Sequence, residues 1–486
     1  MSIKKVLFAL VGLVTGIQVS ADDTFYDNGF TYSLKGNKSS LVLESYQAIP
    51  GKDYSLPLHI PASVRHNGKT YSVWRIDSKA FKGVTEVQSI VIDEGIENIG
   101  NYAFECCTNL KSISLPASVE SIGEGVFGSC YNLTSIVVDE NNECYDSRDN
   151  SNAIIDSDND ELLAACPSTK IPSSVRMIGN RAFFHCNIME DLVIPEGVKI
   201  IGDEVFYGCS SLKSICLPET LTEIGGNAFH GCSALKHVSL PSTLKYFDGH
   251  THFGYCVSLD SIIIPQKVKE LPNDIFMGCV SLQSVAVDSN NEIYDSRNNC
   301  NAIIRTKNDE LVAGCKGSTI VDGIKYISEN SFFKSGITSL HIPASVVDID
   351  YTAFRSCELC MAITVDKNNK YYQSGGANTI IDKENGKLIL ACSTSAIGTD
   401  IKSIGSYAFL NTPNVLILPS GIKEISECAF ADCNNLCSIF IPSTVQRIGR
   451  FAFAGCKQLS NVIIMGTCVK IDKDAFKGCP NYIQSD

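Results

Sequence analysis

Along most of the chain, apolar residues fall in one order that repeats about every 23 residues. The stretch Leu212-Lys-Ser-Ile215-Cys-Leu217-Pro218-Glu-Thr-Leu221-Thr-Glu-Ile224-Gly225-Gly-Asn-Ala228-Phe229-His-Gly-Cys232 shows it whole. Ile215 and Leu217 lie two apart, as do Ile262 with Ile264 and Ile439 with Ile441. That spacing predicts a short strand with one face buried. A proline follows the strand (Pro218, Pro241, Pro265, Pro442). It has no N–H to give to a ladder, so pairing stops there. Leu221 and Ile224 bring the chain back, Gly225 opens a turn, and Ala228-Phe229 is expected to plug the core from a short helical or 3₁₀ turn.

The repeat phenylalanine stands at positions 81, 104, 127, 183, 206, 229, 253, 276, 332, 354, 409, 430, 453 and 476. Most gaps are 23 residues, but three are 56, 56 and 55, one period plus an insert. The inserts, near residues 139–171, 288–320 and 366–398, resemble one another. Tyr145-Asp-Ser, Tyr294-Asp-Ser and Tyr372-Gln-Ser lead into Asn152-Ala-Ile-Ile, Asn301-Ala-Ile-Ile and Asn378-Thr-Ile-Ile. A 23-residue unit cannot bury its apolar face alone, so neighbours must stack on both sides. The expected architecture is therefore a repeat solenoid, mostly parallel β with short helical or 3₁₀ turns, drawn out as an elongated arc or superhelix with β-hairpin inserts.

The ends read differently. Residues 1–21 have a basic start at Lys4 and Lys5, an apolar run from Val6 to Val14, and small residues at Val19-Ser20-Ala21, as in a secretory signal peptide. Residues 22–78 lack the repeat but alternate apolar and polar positions, which predicts a cap of β-hairpins on a solenoid spanning 79–486.

The blocks L-x-x-I-x-I/L-P, V/L-x-x-I-G and A-F-x-x-C, in register fourteen times, resemble the BspA-type leucine-rich repeats, also called the Treponema pallidum type. The Asn67-Gly-Lys-Thr-Tyr-Ser-Val stretch and the Asn-Ala-Ile-Ile inserts are similar to that family too. The resemblance implies a leucine-rich repeat surface protein that adheres to host matrix proteins or other cells and is not an enzyme through this domain. It supplies no binding residue, because the repeat motif does not fix one.

Composition narrows the partners. The formal charge is −13, with 40 basic and 53 acidic side chains, which lacks the basic footprint of a nucleic-acid binder. There are 22 cysteines, but eleven stand three residues after a repeat phenylalanine and three more (Cys166, Cys315, Cys392) share one register in the inserts. A small, readily buried side chain suits a tight internal position, so these fourteen are expected to form a buried ladder of free thiols. The other eight allow one or two disulfides after export.

Three stretches carry apparent chemistry. Gly123-Glu-Gly125-Val-Phe-Gly128 matches a dinucleotide-binding pattern but sits on the repeat's own turn, without the strand and full helix that pattern needs. Asp156-Ser-Asp158-Asn-Asp160 begins like a calcium loop but has Glu161 and Pro167 where glycine and glutamate are required, so a solvated hairpin turn is expected. Asp248-Gly-His250-Thr-His252 lies in a 24-residue period with His252 at the usual alanine position. Two histidines and a carboxylate can bind a transition metal; the simpler expectation is a bulge that lets His252 swing into solvent. Neither a metal nor a cofactor is expected, and no catalytic residue is nominated.

Between the two buried residues of each strand, one position faces outward. It holds Val91, Val137, Val193, Ile263, Ile417, Phe440 and Ile463 in half of the periods, an apolar row flanked by serines. These seven are the candidate partner-binding residues. The expectation is a secreted or cell-surface recognition protein binding proteins or glycans of host matrix or other cells, with no nucleic acid and no membrane span. A self-assembling envelope component is the alternative, and an exported enzyme a more distant one.

Overall fold

The computed structural model describes residues 24–35, 40–409, 413, 415–466 and 469–480, so the leader lies outside the described residues. The chain divides into two compact units, residues 1–189 and 190–486. Each is a parallel β-solenoid.

In the first unit, the strands Leu58–Ile60, Ser89–Ile92, Ser112–Leu115 and Ser135–Val138 form a parallel sheet in which Ile90, Ile113 and Ile136 point into the core. A second parallel ladder, Asn98–Ile99 with Ser121–Ile122, lies on the return path of each coil. In the second unit the same arrangement recurs: Asp191–Val193, Ser214–Cys216, His237–Val238, Ser261–Ile264 and Ser284–Val287 on one side, and Ile200–Ile201, Glu223–Ile224 and Tyr246–Phe247 on the other. Register follows the repeat, because a shift by one residue would turn every buried side chain outward.

A third line of hydrogen bonds runs through the turns. The N–H groups of Glu204, Phe206 and Gly208 donate to the carbonyls of Gly226, Ala228 and His230 in the next coil, at 2.7–2.8 Å. The Ala-Phe segment is thus a pair of tight turns rather than the short helix its sequence suggests. Asn227 (φ 55°) and Gly231 (φ 76°) lie in the left-handed region on either side of Phe229. The turns make the i to i−3 bonds of a 3₁₀ helix, such as Cys232 N–H to the Phe229 carbonyl at 3.1 Å, but two left-handed residues stop them from propagating. Among the described residues, 3₁₀ helix occurs only at Arg148–Asn150 and Arg297–Asn299, inside inserts.

The repeat phenylalanines stack within each unit. Phe206, Phe229 and Phe253 have ring centroids 5.3 Å apart and Phe430, Phe453 and Phe476 have them 4.9 Å apart. In the first unit Phe81 and Phe104 are 5.1 Å apart, and Tyr46 stacks on Phe81 at 5.2 Å. Tyr46 belongs to the antiparallel meander Thr24–Asp27, Phe30–Lys35, Ser40–Tyr46 and closes the aromatic column at that end, where no coil precedes to supply a phenylalanine. Its hydroxyl meets that of Tyr54 at 2.7 Å, so the ring is buried without stranding a polar atom.

Each insert is a three-stranded antiparallel meander whose last strand joins the parallel ladder: Tyr294–Asp295, Ala302–Arg305 and Glu310–Gly314 precede Tyr326–Ile327. One asparagine seats each meander. The Asn291 amide donates to the carbonyls of Pro265 and Val268 at 2.9 and 3.1 Å, and its Oδ1 accepts from the N–H groups of Ile293 and Tyr294. Asn142 and Asn369 do the same in their inserts. At the insert level the phenylalanine site is taken by a small residue. Gly314 donates to the Ser331 carbonyl at 2.8 Å, and the Phe332 ring covers it so closely that a Cβ there would collide with the ring.

No disulfide is present among the described residues. The ladder thiols donate to the phenylalanine carbonyl of the preceding coil: Cys232 to Phe206 (3.2 Å), Cys256 to Phe229 (3.1 Å), Cys279 to Phe253 (3.0 Å). Burial pushes the thiols of Cys279 and Cys357 up to about 12, and raises those of Cys130, Cys232 and Cys256 well above the ordinary range. Thiolate, not thiol, is the nucleophile, so these cysteines are silent while the coils stay closed. Exposed Cys216 is accessible. In native protein treated with iodoacetamide at pH 8, Cys216 is expected to be alkylated at least about a hundredfold faster than Cys232, Cys256 or Cys279. Peptide mass spectrometry reads this; equal rates would show that the coils are open.

Candidate binding face

The outward positions of the front strands alternate with Ile, Leu and Val that fill the core, so backbone pleating alone aims them at solvent. Val91, on Ser89–Ile92, is half-buried; its neighbour in register is Ser114, and Val137 lies one strand further on. Those two valines are therefore separated by a serine. In the second unit, exposed Val193 lies beside Cys216, and exposed Ile263 beside Ala286. The third group is different. The strands Val415–Ile417, Ser438–Ile441 and Asn461–Ile464 place Ile417, Phe440 and Ile463 side by side in register. Ile417 is 69% exposed, Ile463 is exposed and Phe440 half-buried.

Two residues extend this group that the outward row alone does not select. Val415 starts the first strand and is exposed. Met465 is 69% exposed and stands where Pro442 ends the coil before it. Because Met465 has an N–H, it continues the ladder by donating to the Ile441 carbonyl at 3.0 Å. The missing proline was the sequence signal for it.

The serine row is tied together along the sheet, as in the 2.7 Å contact between the Ser89 and Ser112 hydroxyls. Asp191, the one carboxylate on these rows, accepts from Ser214. His341 pairs with Thr364 at 2.9 Å. The front face therefore offers apolar side chains flanked by hydroxyls, some of them bonded to polar neighbours on the sheet.

The stretches with apparent chemistry resolve as structure. The Gly123–Gly128 segment is a turn of the repeat with no helix after it, and a Cβ at Gly123 would strike Asn101 of the preceding coil. Asp156–Asp160 turns the insert hairpin: Asp156 accepts from the N–H groups of Asp158 and Asn159, and Asp160 pairs with Arg148 at 2.7 Å. His252 corrects the sequence expectation. It does not swing into solvent but is fully buried, stacked on Phe247 with centroids 4.9 Å apart, while His250 takes the exposed side of the bulge. Among the described residues no group of three or more His, Cys, Asp or Glu is placed to hold a metal ion.

The sequence matches the family described as BspA type leucine rich repeat region, in six copies, over residues 69–155, 164–283, 312–376 and 390–485. The protein belongs to this family. Its BspA-type coils are similar to those of a leucine rich cell surface protein from Faecalibacterium prausnitzii A2-165, at 23% identity over 93% of this chain and 99% of that one, TM-score 0.42. A leucine-rich repeat protein from Bacteroides ovatus ATCC 8483 is 24% identical over 94% of this chain and 92% of that one, TM-score 0.34. The T. pallidum leucine rich repeat protein is 24% identical over 48% of this chain and 89% of that one, TM-score 0.30. No curated protein matches the chain. Among the described residues, no helix is long and apolar enough to cross a membrane.

Proposed function

We propose that this protein is an exported, surface-acting recognition protein that adheres to proteins of a host matrix or of neighbouring cells and does no chemistry of its own. The leader-like residues 1–21 and membership of the BspA-type family support export. The observation that carries the reading is the register of Ile417, Phe440 and Ile463 on three adjacent strands, with Val415 and Met465 at the margin. A contiguous exposed apolar group of this kind loses free energy to water unless a partner covers it, and its aromatic and branched members are rigid anchors. Val91, Val137, Val193 and Ile263 add isolated apolar points on the same face of their sheets.

The test is a binding screen of the full chain against matrix proteins by interferometry, repeated with Ile417→Glu/Phe440→Glu. Burying either glutamate in an apolar contact is expected to weaken the interaction by about tenfold or more. Unchanged binding to every partner found would refute the front-face reading. Sedimentation without ligand distinguishes the self-assembly alternative, in which coil ends or flanks join copies and association depends on concentration.

A further inference from the structure

The return path of each coil carries a second row that composition conceals. In the second unit the Thr222 N–H donates to the Lys199 carbonyl (2.8 Å), Lys245 to Thr222 (2.9 Å) and Lys269 to Lys245 (3.1 Å). Further along, Val347 donates to Lys325 and Lys423 to Lys402, both at 2.8 Å. Lys199, Lys245, Lys269, Lys325, Lys402 and Lys423 therefore occupy one position of the repeat, in register, and all are exposed. The same position in the first unit holds Trp74, Glu97 and Glu120, joined by bonds of 2.8 Å.

Five of these six lysines lack the carboxylate partner that several other cations of the chain have. Lys213, Arg148, Arg297 and Arg447 each meet a carboxylate at 2.6–2.8 Å. Lys325 meets Asp309, which Arg297 also contacts. Among the described residues, Lys199, Lys245, Lys269, Lys402 and Lys423 have no carboxylate in ion-pair range; Lys269 has only the exposed Tyr246 ring, 5.9 Å away. Acids at the position after the row are engaged elsewhere in two coils: Glu424 with Arg447, and Glu223 against Asp248, burial raising its carboxyl. Glu270 and Asp348 face solvent. Solubility does not explain the row, because a chain of charge −13 is already far from neutrality and the lysines bring it closer.

We propose that this lysine row is a binding track for a linear acidic polysaccharide. Neighbouring coils are about 4.8 Å apart, so the free ammonium groups recur at one- or two-coil steps of roughly 5–10 Å within two runs, Lys199–Lys245–Lys269 and Lys402–Lys423, which are separated by two inserts. That pitch suits a polymer with one carboxylate or sulfate per sugar or per disaccharide. Duplex nucleic acid presents a charge about every 1.7 Å, which this sparse row cannot match and which Glu270 and Asp348 repel. Tyr246 and Tyr326, both exposed beside the track, offer ring faces for sugar C–H groups. The track lies on the opposite path of the coil from the front face and does not depend on what that face binds.

The experiment uses the full chain and polygalacturonate immobilised on a sensor, with neutral dextran and duplex DNA as parallel arms. Binding to polygalacturonate is expected to weaken as salt rises and to exceed binding to both other polymers. Lys245→Glu/Lys269→Glu/Lys402→Glu/Lys423→Glu should lose about tenfold or more in affinity, four exposed charge contacts each contributing a few tenths of a kcal/mol or more. The corresponding Lys→Gln quadruple variant should lose less, and Ile417→Glu/Phe440→Glu should bind polygalacturonate like the parent. Equal affinity of parent and both quadruple variants, no binding by the parent at low salt, or tighter binding of DNA would each overturn the proposal.

Discussion

Replacing Phe229 with alanine is expected to destabilise the unit of residues 190–486 by about 3–5 kcal/mol. The ring is fully buried and lies 5.3 Å from Phe206 on one side and Phe253 on the other. Neither neighbour can collapse into the space, because both are held by the turn ladder: the Phe206 N–H donates to the Ala228 carbonyl (2.8 Å) and the Phe253 N–H to the Ile275 carbonyl (3.0 Å). The Cys256 thiol, bonded to the Phe229 carbonyl, fixes the same turn from the next coil. In a stacked array each coil is stabilised only by its neighbours. The damage should therefore appear in chemical denaturation as a shifted and broadened transition, not a uniform shift. Ile417→Ala, on the exposed face, should change stability by less than about 0.5 kcal/mol. Similar losses for the two variants would mean that the phenylalanine column does not hold the coils together.

Acid should weaken the protein at His252. Its imidazole is fully buried against Phe247, neither ring nitrogen has a hydrogen-bond partner, and burial together with nearby His250 lowers its pKa to about 3. In the unfolded chain the same group titrates near its ordinary value of 6.5. Between those values the unfolded state binds the extra proton, so stability rises with pH. The contribution is fully present above about pH 6.5 and is lost progressively as pH falls toward 3, up to about 4 kcal/mol. Near the bulge, exposed His250 also faces Asp274 at 3.9 Å. The readout is therefore a difference. His252→Ala restores the alanine of most other coils and leaves a small cavity, so it should be less stable at pH 7 but lose less between pH 7 and pH 4. Parallel pH profiles of parent and variant would sink this assignment.

How much of this could be read beforehand varies by residue. The register of Phe229 and Cys232 was legible because the phenylalanine recurs fourteen times and the cysteine in eleven of those coils, and a residue type fixed at one period has one environment. Ile417, Phe440 and Ile463 were legible as outward positions from strand alternation alone. Tyr46 was not, because it comes from outside the repeat and meets Phe81 only when the meander folds over the first coil. Leu58–Ile60, which pairs with Ser89–Ile92, was hidden by the hairpin Ser63–His66/Lys69–Ile76 that separates it from its coil's return path. Nothing in the sequence singles out Asn142, Asn291 and Asn369, because their four hydrogen bonds each run partly to a coil more than twenty residues earlier. His252 was read in the wrong direction: a polar ring at an alanine position suggested exclusion, yet the extra residue of its coil moves His250 outward and leaves His252 inside.

The amino-acid order by itself determined the coil. A 23-residue period with alternating apolar positions, a terminating proline and a recurrent Ala-Phe pair admits one repeating path, because any other register exposes the core residues of every coil at once. Three things were decided only when coils stacked. The turns became left-handed pairs instead of helices, since their N–H groups point to the next coil. The thiols became inert, since each is enclosed between neighbours. Side chains 23 residues apart became neighbours, as Ile417, Phe440 and Ile463 do on three adjacent strands. Those properties depend on which coil lies beside which, a long-range contact that no local pattern encodes.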